Sequence, residues 1–315
     1  MSKILITGGA GFIGSHLAES LIKAGHSVIV YDNLRTGNRS NLGDLPVHFV
    51  QGDILDEKML SETMHDQENV FHLAAFTSVV ESMNHMEECI DINFHGTLNV
   101  LKVAKENRVR KVILASSAAV YGDSPELPKT EEMPLNPKSP YAITKVDGEY
   151  YCNLYSDAYG LPTVCARFFN VFGERQDPHS AYAAAIPIFI TKFLRNESVT
   201  IYGDGTQLRD FIYVKDLVKA LLLLMDKGNG IFNIGYGKAV DINSLIHSIQ
   251  ENLHSSSEIV YTTERAGEIK NSFSSVAKLN SLGFKPDFSF EAGLIRTINY
   301  FKQNLSKIDK KEVRY

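Results

Sequence analysis

Lys3-Ile4-Leu5-Ile6-Thr7-Gly8-Gly9-Ala10-Gly11-Phe12-Ile13-Gly14 is the stretch that decides the fold. An apolar run of strand length enters a turn with glycines three apart, and the helical pattern Phe12, Ile13, Leu17, Leu21, Ile22 follows it. Strand, glycine turn and helix in that order form a dinucleotide cradle. Gly8 permits a tight exit from the strand, Gly11 lets a pyrophosphate approach the backbone, and Gly14 lets the helix pack on the sheet. The helix then presents its amino end to the phosphates. Asp32 ends the second apolar run, where a carboxylate accepts bonds from the adenine ribose hydroxyls and repels a 2′-phosphate. NAD is therefore expected over NADP, with Arg35 as the one neighbour pointing the other way. Asp53, after Gln51-Gly52, is expected either at the edge of the adenine site or as a helix cap.

Outward from the cradle, residues 4–6, 28–31, 47–50, 70–73, 112–114 and 163–166 are strand candidates, each followed by a segment of helix length. That alternation predicts an α/β fold with a Rossmann-type doubly wound parallel sheet. Beyond residue 167, turns such as Gly203-Asp204-Gly205 and Gly235-Tyr236-Gly237 punctuate shorter elements of a smaller C-terminal α/β domain. The expected division is a dinucleotide-binding domain over 1–167, joined by a returning segment about 211–235, and a ligand domain over 168–315. At 315 residues the chain is long enough for both. Residues 306–315 are charged and expected to fray.

A formal charge of −5 gives no global attraction to nucleic acid or an anionic membrane, and no apolar run approaches a membrane span. Cys89, Cys152 and Cys165 lack the spacing of a metal or redox motif, which points to plain thiols in the reducing cytoplasm. No metal is expected.

A further cluster carries the chemistry. Ser139-Pro140 starts a helix that Gly160 ends, and Tyr141 and Lys145, four apart, share one of its faces. The lysine is expected to be a permanent cation that favours the ionised phenol. Such a phenol beside a nicotinamide acts as a proton shuttle next to a hydride acceptor. Residues 111–115 lead into Ser116-Ser117, where a hydroxyl can bond both a substrate alcohol and the phenol. Tyr141, Lys145 and Ser117 are the catalytic candidates, for redox chemistry at a carbinol carbon. His72 reads as a packed structural histidine. Tyr150, Tyr151, Tyr155 and Tyr159 read as core and docking surface.

Together, Thr7-Gly8-x-x-Gly11-x-x-Gly14, His72-Leu73-Ala74-Ala75, Asn93, Ser116-Ser117, Tyr141-x-x-x-Lys145 and Arg167-Phe168-Phe169-Asn170 resemble the extended short-chain dehydrogenase/reductases that modify nucleotide-linked sugars. The similarity runs on through Gly203-Asp204-Gly205, Arg209-Asp210-Phe211, Arg265-Ala266-Gly267-Glu268 and Gly283-Phe284-Lys285-Pro286, and covers about residues 1–304. In the 4,6-dehydratases of that family a Thr-Asp-Glu set precedes Val-Tyr-Gly, and the UDP-glucuronate decarboxylases carry glutamate where Ala119 stands. Here the stretch is Ser117-Ala118-Ala119-Val120-Tyr121-Gly122, without either carboxyl group. The remaining resemblance is to the UDP-sugar 4-epimerases acting on UDP-glucose or UDP-N-acetylglucosamine. The alternatives are a 4,6-dehydratase, decarboxylase or reductase of the family, or a non-catalytic NAD-binding protein.

The resemblance implies NAD contacts at Gly8, Gly11, Phe12, Ile13, Gly14, Asp32, Asn33, Asp53, Ile54, Leu73, Ala74, Ala75, Asn93, Ser116, Tyr141, Lys145 and Phe169. It implies UDP-sugar contacts at Ser117, Tyr141, Asn170, Tyr202, Arg209, Arg265 and Ser272, with residues 199–203 against uracil. Ser272 matches a pocket-wall position where tyrosine restricts the family to plain hexoses and a small residue leaves room for an N-acetyl group. Residues 169–178 and 181–184 also resemble the epimerases of N-acetylated UDP-hexosamines. A homodimer is implied through a four-helix contact of the Tyr141 helix with residues 89–107.

Overall fold

The computed structural model describes residues 1–178, 185–264 and 270–312. Its strands are β1 (Lys3–Thr7), β2 (Ser27–Asp32), β3 (His48–Gln51), β4 (Asn69–His72), β5 (Lys111–Ser117), β6 (Thr163–Phe168), β7 (Asn170–Phe172), β8 (Val199–Tyr202), β9 (Leu208–Tyr213), β10 (Gly230–Ile234), β11 (Ala239–Asp241), β12 (Ile259–Thr262) and β13 (Asn271–Ser272). Its helices are α1 (Phe12–Lys23), α2 (Glu57–Met64), α3 (Val79–Asn84), α4 (Met86–Ile90), α5 (Gly96–Glu106), α6 (Pro140–Tyr159), α7 (Ala185–Leu194), α8 (Val214–Lys227), α9 (Ile242–Leu253), α10 (Ala277–Ser281) and α11 (Phe290–Glu312).

Seven strands form one sheet in the order β3-β2-β1-β4-β5-β6-β10, with every pair parallel. Ile4, Leu5 and Ile6 are wholly buried, as a parallel strand covered on both faces requires. Leu17 and Leu21 of α1 pack with Leu217 and Leu221 of α8 in one core. Leu60 of α2, Val100 of α5 and Cys152 of α6 fill another. All six strand candidates are strands of this sheet. The order reverses direction at β1 and β4, which opens a crevice at the carboxyl ends of the strands.

A smaller layer gathers around β9, which pairs with β7 and β13 in parallel and with β11 antiparallel. Phe172, Phe189, Phe193, Leu245 and Phe301 form its core with α7, α9 and α11. The chain crosses from β6 into β7 through Phe169 and returns by α8 to β10 at the edge of the large sheet. Of the segment 306–315 expected to fray, α11 takes in residues through Glu312, and 313–315 lie outside the described residues. Buried Leu294, Ile298 and Phe301 anchor α11 on the core of the smaller layer.

Candidate active site

A cavity of about 460 Å³ lies along the carboxyl ends of β1, β2, β4, β5 and β6. Its floor is the glycine turn. Gly8 has φ +71°, and a Cβ there would stand 2.6 Å from the Ala74 nitrogen. A Cβ on Gly14 would stand 2.6 Å from Gly9 Cα, so the start of α1 can approach the turn only without one. Gly11 caps α1 without any side-chain bond, which leaves the amino end of the helix facing the cavity. Arg175 lines the same cavity; its Nη2 donates to Glu19 Oε2 at 2.6 Å midway along α1, while its Nη1 is buried without a partner. An uncapped helix amino end and an orphaned guanidinium donor on one cavity wall fit a diphosphate.

Asp32 holds the far end. Its carboxylate accepts from Ala10 N at 2.9 Å and Leu34 N at 2.8 Å, leaving lone pairs for ribose hydroxyls. Burial pushes this carboxyl up, and the two N–H bonds pull the other way. Asn33 Nδ2 donates to Asp53 Oδ2 at 2.8 Å, and Asp53 Oδ1 accepts from Leu55 N. The cap of α2 is Asp56, which removes that alternative for Asp53. Arg35 lines the cavity, but its guanidinium is paired with Glu88 and lies over the Phe76 ring.

At the other end, Ser139 caps α6 by accepting from Ala142 N at 3.2 Å, Pro140 opens the helix, and Gly160 closes it at φ +68°. Lys145 Nζ donates to the Ala115 carbonyl at 2.9 Å and lies 5.6 Å from the centroid of the Tyr141 ring. Ser117 stands near enough to the Tyr141 phenol to favour its ionised form, and it accepts from Ala119 N at 3.1 Å. Burial pushes the phenol up, against the pull of Ser117. Burial brings Lys145 down to about 8, so the expected permanent cation is corrected to a group that titrates near neutrality.

Most expected cofactor positions line this cavity: Gly8, Gly11, Phe12, Ile13, Gly14, Asp32, Asn33, Asp53, Ile54, Leu73, Ala74, Ala75, Ser116, Tyr141, Lys145 and Phe169. Asn93 is the exception. Asn93 lies outside the walls, buried, with its amide spent on both backbone groups of Phe76 and on Thr144. It fastens the segment after β4 to α6. Ser116 borders the cavity, but its hydroxyl donates to buried Glu149 at 2.5 Å. Successive strand residues point their side chains to opposite sides, so the Ser116 hydroxyl turns to Glu149 while the residue still borders the cavity beside Ser117. His72 is a structural residue, bonded to Thr7 and Thr97 and brought by burial to about 3.

Asn170, Arg209 and Ser272 gather on the smaller layer. Ser272 faces Arg209 in the β13–β9 register, and Asn170 Nδ2 donates to the Asp210 carbonyl at 3.1 Å. Arg209 Nη1 donates to the carbonyls of Leu208 and Lys270. Tyr202 is exposed at the end of β8, whereas Val199 and Ile201 are buried in the core of that layer. Of residues 199–203, Val199 and Ile201 therefore point into the core, and Thr200, Tyr202 and Gly203 are the ones not buried. Arg265 and residues 181–184 lie outside the described residues. The cavity also takes walls not expected as cofactor contacts: Thr36, Gly37, Asn38 and Asn41 after β2, and Arg175, Gln176 and Asp177 after β7, within the stretch 169–178 noted above only for its resemblance. These are loop positions without periodicity. Only Gly37 leaves a trace, since a Cβ there would meet the Asp32 carboxylate.

Residues 4–235 match the family described as NAD dependent epimerase/dehydratase. The chain belongs to that family. It is 42% identical over 304 residues to a putative UDP-glucose 4-epimerase of Methanocaldococcus jannaschii, covering 96% of this chain and 99% of the relative. It is 39% identical to a UDP-N-acetyl-alpha-D-glucosaminuronate decarboxylase of Bacillus cytotoxicus, covering 96% and 98%. A UDP-N-acetylglucosamine 4-epimerase of Methanobrevibacter ruminantium, solved in complex with UDP-N-acetylmuramic acid, superposes with a TM-score of 0.93 at 40% identity, over 96% and 99% of the two chains. The protein is thus an enzyme of the UDP-sugar epimerase/dehydratase family, with a Rossmann-type fold and NAD as cofactor. The open amino end of α1, the glycine cradle, the Arg175 guanidinium and Asp32 are the groups that fit NAD. Among the described residues no helix is long and apolar enough to cross a membrane.

Proposed function

We propose that the protein interconverts C4 epimers of a UDP-hexose or UDP-N-acetylhexosamine through a transient 4-keto sugar. The observation that carries this reading is the turn Ala118–Tyr121 directly after Ser117. It brings two alanines to the place where the dehydratases and decarboxylases of the family carry carboxyl groups, beside an intact Tyr141, Lys145 and Ser117 set. The carboxylates on the cavity wall, Asp32, Asp53 and Asp177, belong to β2 and to the loops after β3 and β7. Among the described residues no carboxyl group on the wall stands beside Ser117 to eliminate water across C5 and C6.

Bound NAD supplies the acceptor that takes a hydride from sugar C4 and later returns it. Tyr141 removes the 4-hydroxyl proton and later restores one to the same oxygen. Ser117 donates to the phenolate and orients the alcohol. Lys145, still largely protonated below pH 8, offsets the phenolate charge. Asn170, Arg209 and Arg265 hold the nucleotide and diphosphate, so the ketone can present its other face without leaving. Incubation with UDP-galactose, UDP-GalNAc and their uronic acids tests the assignment. C4 epimers without net NADH are expected, whereas a 4-keto-6-deoxy sugar or a pentose would replace it with dehydration or decarboxylation.

Serine at 272 supports acceptance of the N-acetylated sugars. Ser272→Tyr should lower kcat/KM for UDP-GalNAc about tenfold or more relative to UDP-galactose, the scale of a filled subsite. Equal losses on both substrates would remove the specificity argument. A homodimer is supported by an exposed apolar stripe of Ile143, Tyr150 and Leu154 on α6 beside Met86 and Ile90 of α4. The partner face then centres on α3, α4 and α6, since Val100, Leu101, Val103 and Ala104 of α5 are buried in the chain's own core. Three buried free thiols fit a cytoplasmic setting.

A further inference from the structure

Glu149 stands one turn beyond Lys145 on α6, as Lys145 stands one turn beyond Tyr141. Its buried carboxylate accepts three bonds, from Ser116 Oγ at 2.5 Å, Arg167 Nε at 2.8 Å and Arg167 Nη2 at 2.7 Å. Ser116 and Arg167 are direct neighbours in the β5–β6 register. Arg167 Nη1 continues to the Tyr121 hydroxyl at 2.8 Å, with the guanidinium over the Tyr121 ring, and Tyr121 donates to Asn233 of β10 at 2.6 Å. A buried ion pair of this kind is matched or bettered in stability by apolar residues of similar volume, so stability alone gives no reason for it. Its neighbours give one. Ser116 lies between Ala115, whose carbonyl holds the Lys145 ammonium, and Ser117, whose hydroxyl meets Tyr141.

We propose that Glu149 is a positioning residue for the Tyr141 and Lys145 pair: it locks α6 onto β5 through Ser116 and balances the Arg167 charge behind Lys145. Its catalytic consequence rests on the reaction assigned above; the charge balance does not. The titratable groups facing Lys145 are Cys89 of α4, a thiol pushed up by burial, His72 of β4, lowered to about 3, and the Tyr141 phenol, pushed up by burial. All three are uncharged at neutral pH. Glu149, with Arg167 behind it, supplies the charge that bears on the ammonium, and it favours the protonated form against burial.

Lys145 lines the cavity, so its titration can be read from the rate of its acetylation by acetic anhydride across pH, measured by mass spectrometry on the whole chain. The midpoint is expected near 8 in the unmodified protein. Glu149→Gln keeps the shape and leaves Arg167 unbalanced, which should lower the midpoint by about one pH unit. Arg167→Gln should raise it by a similar amount, and the two changes together should return it to the starting value. Simple loosening of α6 would admit water and raise all three midpoints. That result, or no movement, overturns the proposal. If Glu149→Gln does not accumulate folded, the rise in Arg167→Gln and its reversal in the double variant make the same distinction. These shifts in a protein that forms no C4 epimer would sustain the role of Glu149 and sink the assigned reaction.

Discussion

Tyr141→Phe is expected to lower epimerase turnover by about three orders of magnitude while leaving NAD affinity within a few fold. The ring is retained at its place on α6, so neither packing nor the glycine cradle changes. What disappears is one hydroxyl, the one whose ionised form Ser117 favours. Ser117 keeps its bond to Ala119 N, which holds the turn after β5 in place, but its own proton loses the oxygen it served. Ser117 alone has no base to take the substrate proton, and Lys145 is committed to the Ala115 carbonyl. The decisive measurement is single-turnover oxidation of the bound sugar, read as NADH absorbance, together with equilibrium binding of NAD. Turnover close to that of the unmodified protein would move proton transfer to another group and dissolve the mechanism.

The parts of this site that the sequence makes legible are those where one residue type answers one local demand. Buried parallel strands read as unbroken apolar runs, and Gly8 and Gly14 are required by a left-handed φ and a close backbone approach. Ser139, Pro140 and Gly160 punctuate α6 by the ordinary chemistry of helix ends. Side-chain direction in the third dimension is harder to read. Asn93 fits a family pattern, yet it sits in the π-helical turn Asp91–His95, which turns its amide inward to Phe76 and Thr144. The orientation of Ser116 is legible in principle, because strand alternation points the side chains of two adjacent serines to opposite sides. The roles of Arg175 and Glu149 are not. Arg175 takes a left-handed backbone in a loop, and Glu149 is indistinguishable from any charged helix residue until the fold brings Arg167 across from β6.

Asp210→Ala should destabilise the protein by about 3 kcal/mol, because it strips one buried and two partly buried N–H groups of their acceptor, at about 1–3 kcal/mol for a fully buried one. The carboxylate, wholly buried on β9, accepts from Ser274 N at 3.0 Å, Tyr236 N at 2.8 Å and Gly237 N at 3.1 Å, and from Ser274 Oγ at 2.5 Å. Burial pushes this group up, and those donors work against the shift. They come from the turn after β10, at the edge of the large sheet, and from the segment after β13, which carries Ser272. That segment is tied in turn to the loop before α6, where Lys129 N donates to the Phe273 carbonyl at 2.9 Å. Asp210 thus joins the strand bearing Arg209 to both halves of the molecule. Beyond a lower midpoint of unfolding in guanidinium chloride, which reads the stability loss, the variant should bind UDP-sugar more weakly while holding NAD almost as before, since the glycine cradle lies on α1 and β1, away from these bonds. Asp210→Asn should fall between, as one acceptor oxygen becomes an NH2 group facing other donors. An unchanged midpoint for the alanine variant would mean that water fills the carboxylate's place and satisfies the same N–H groups.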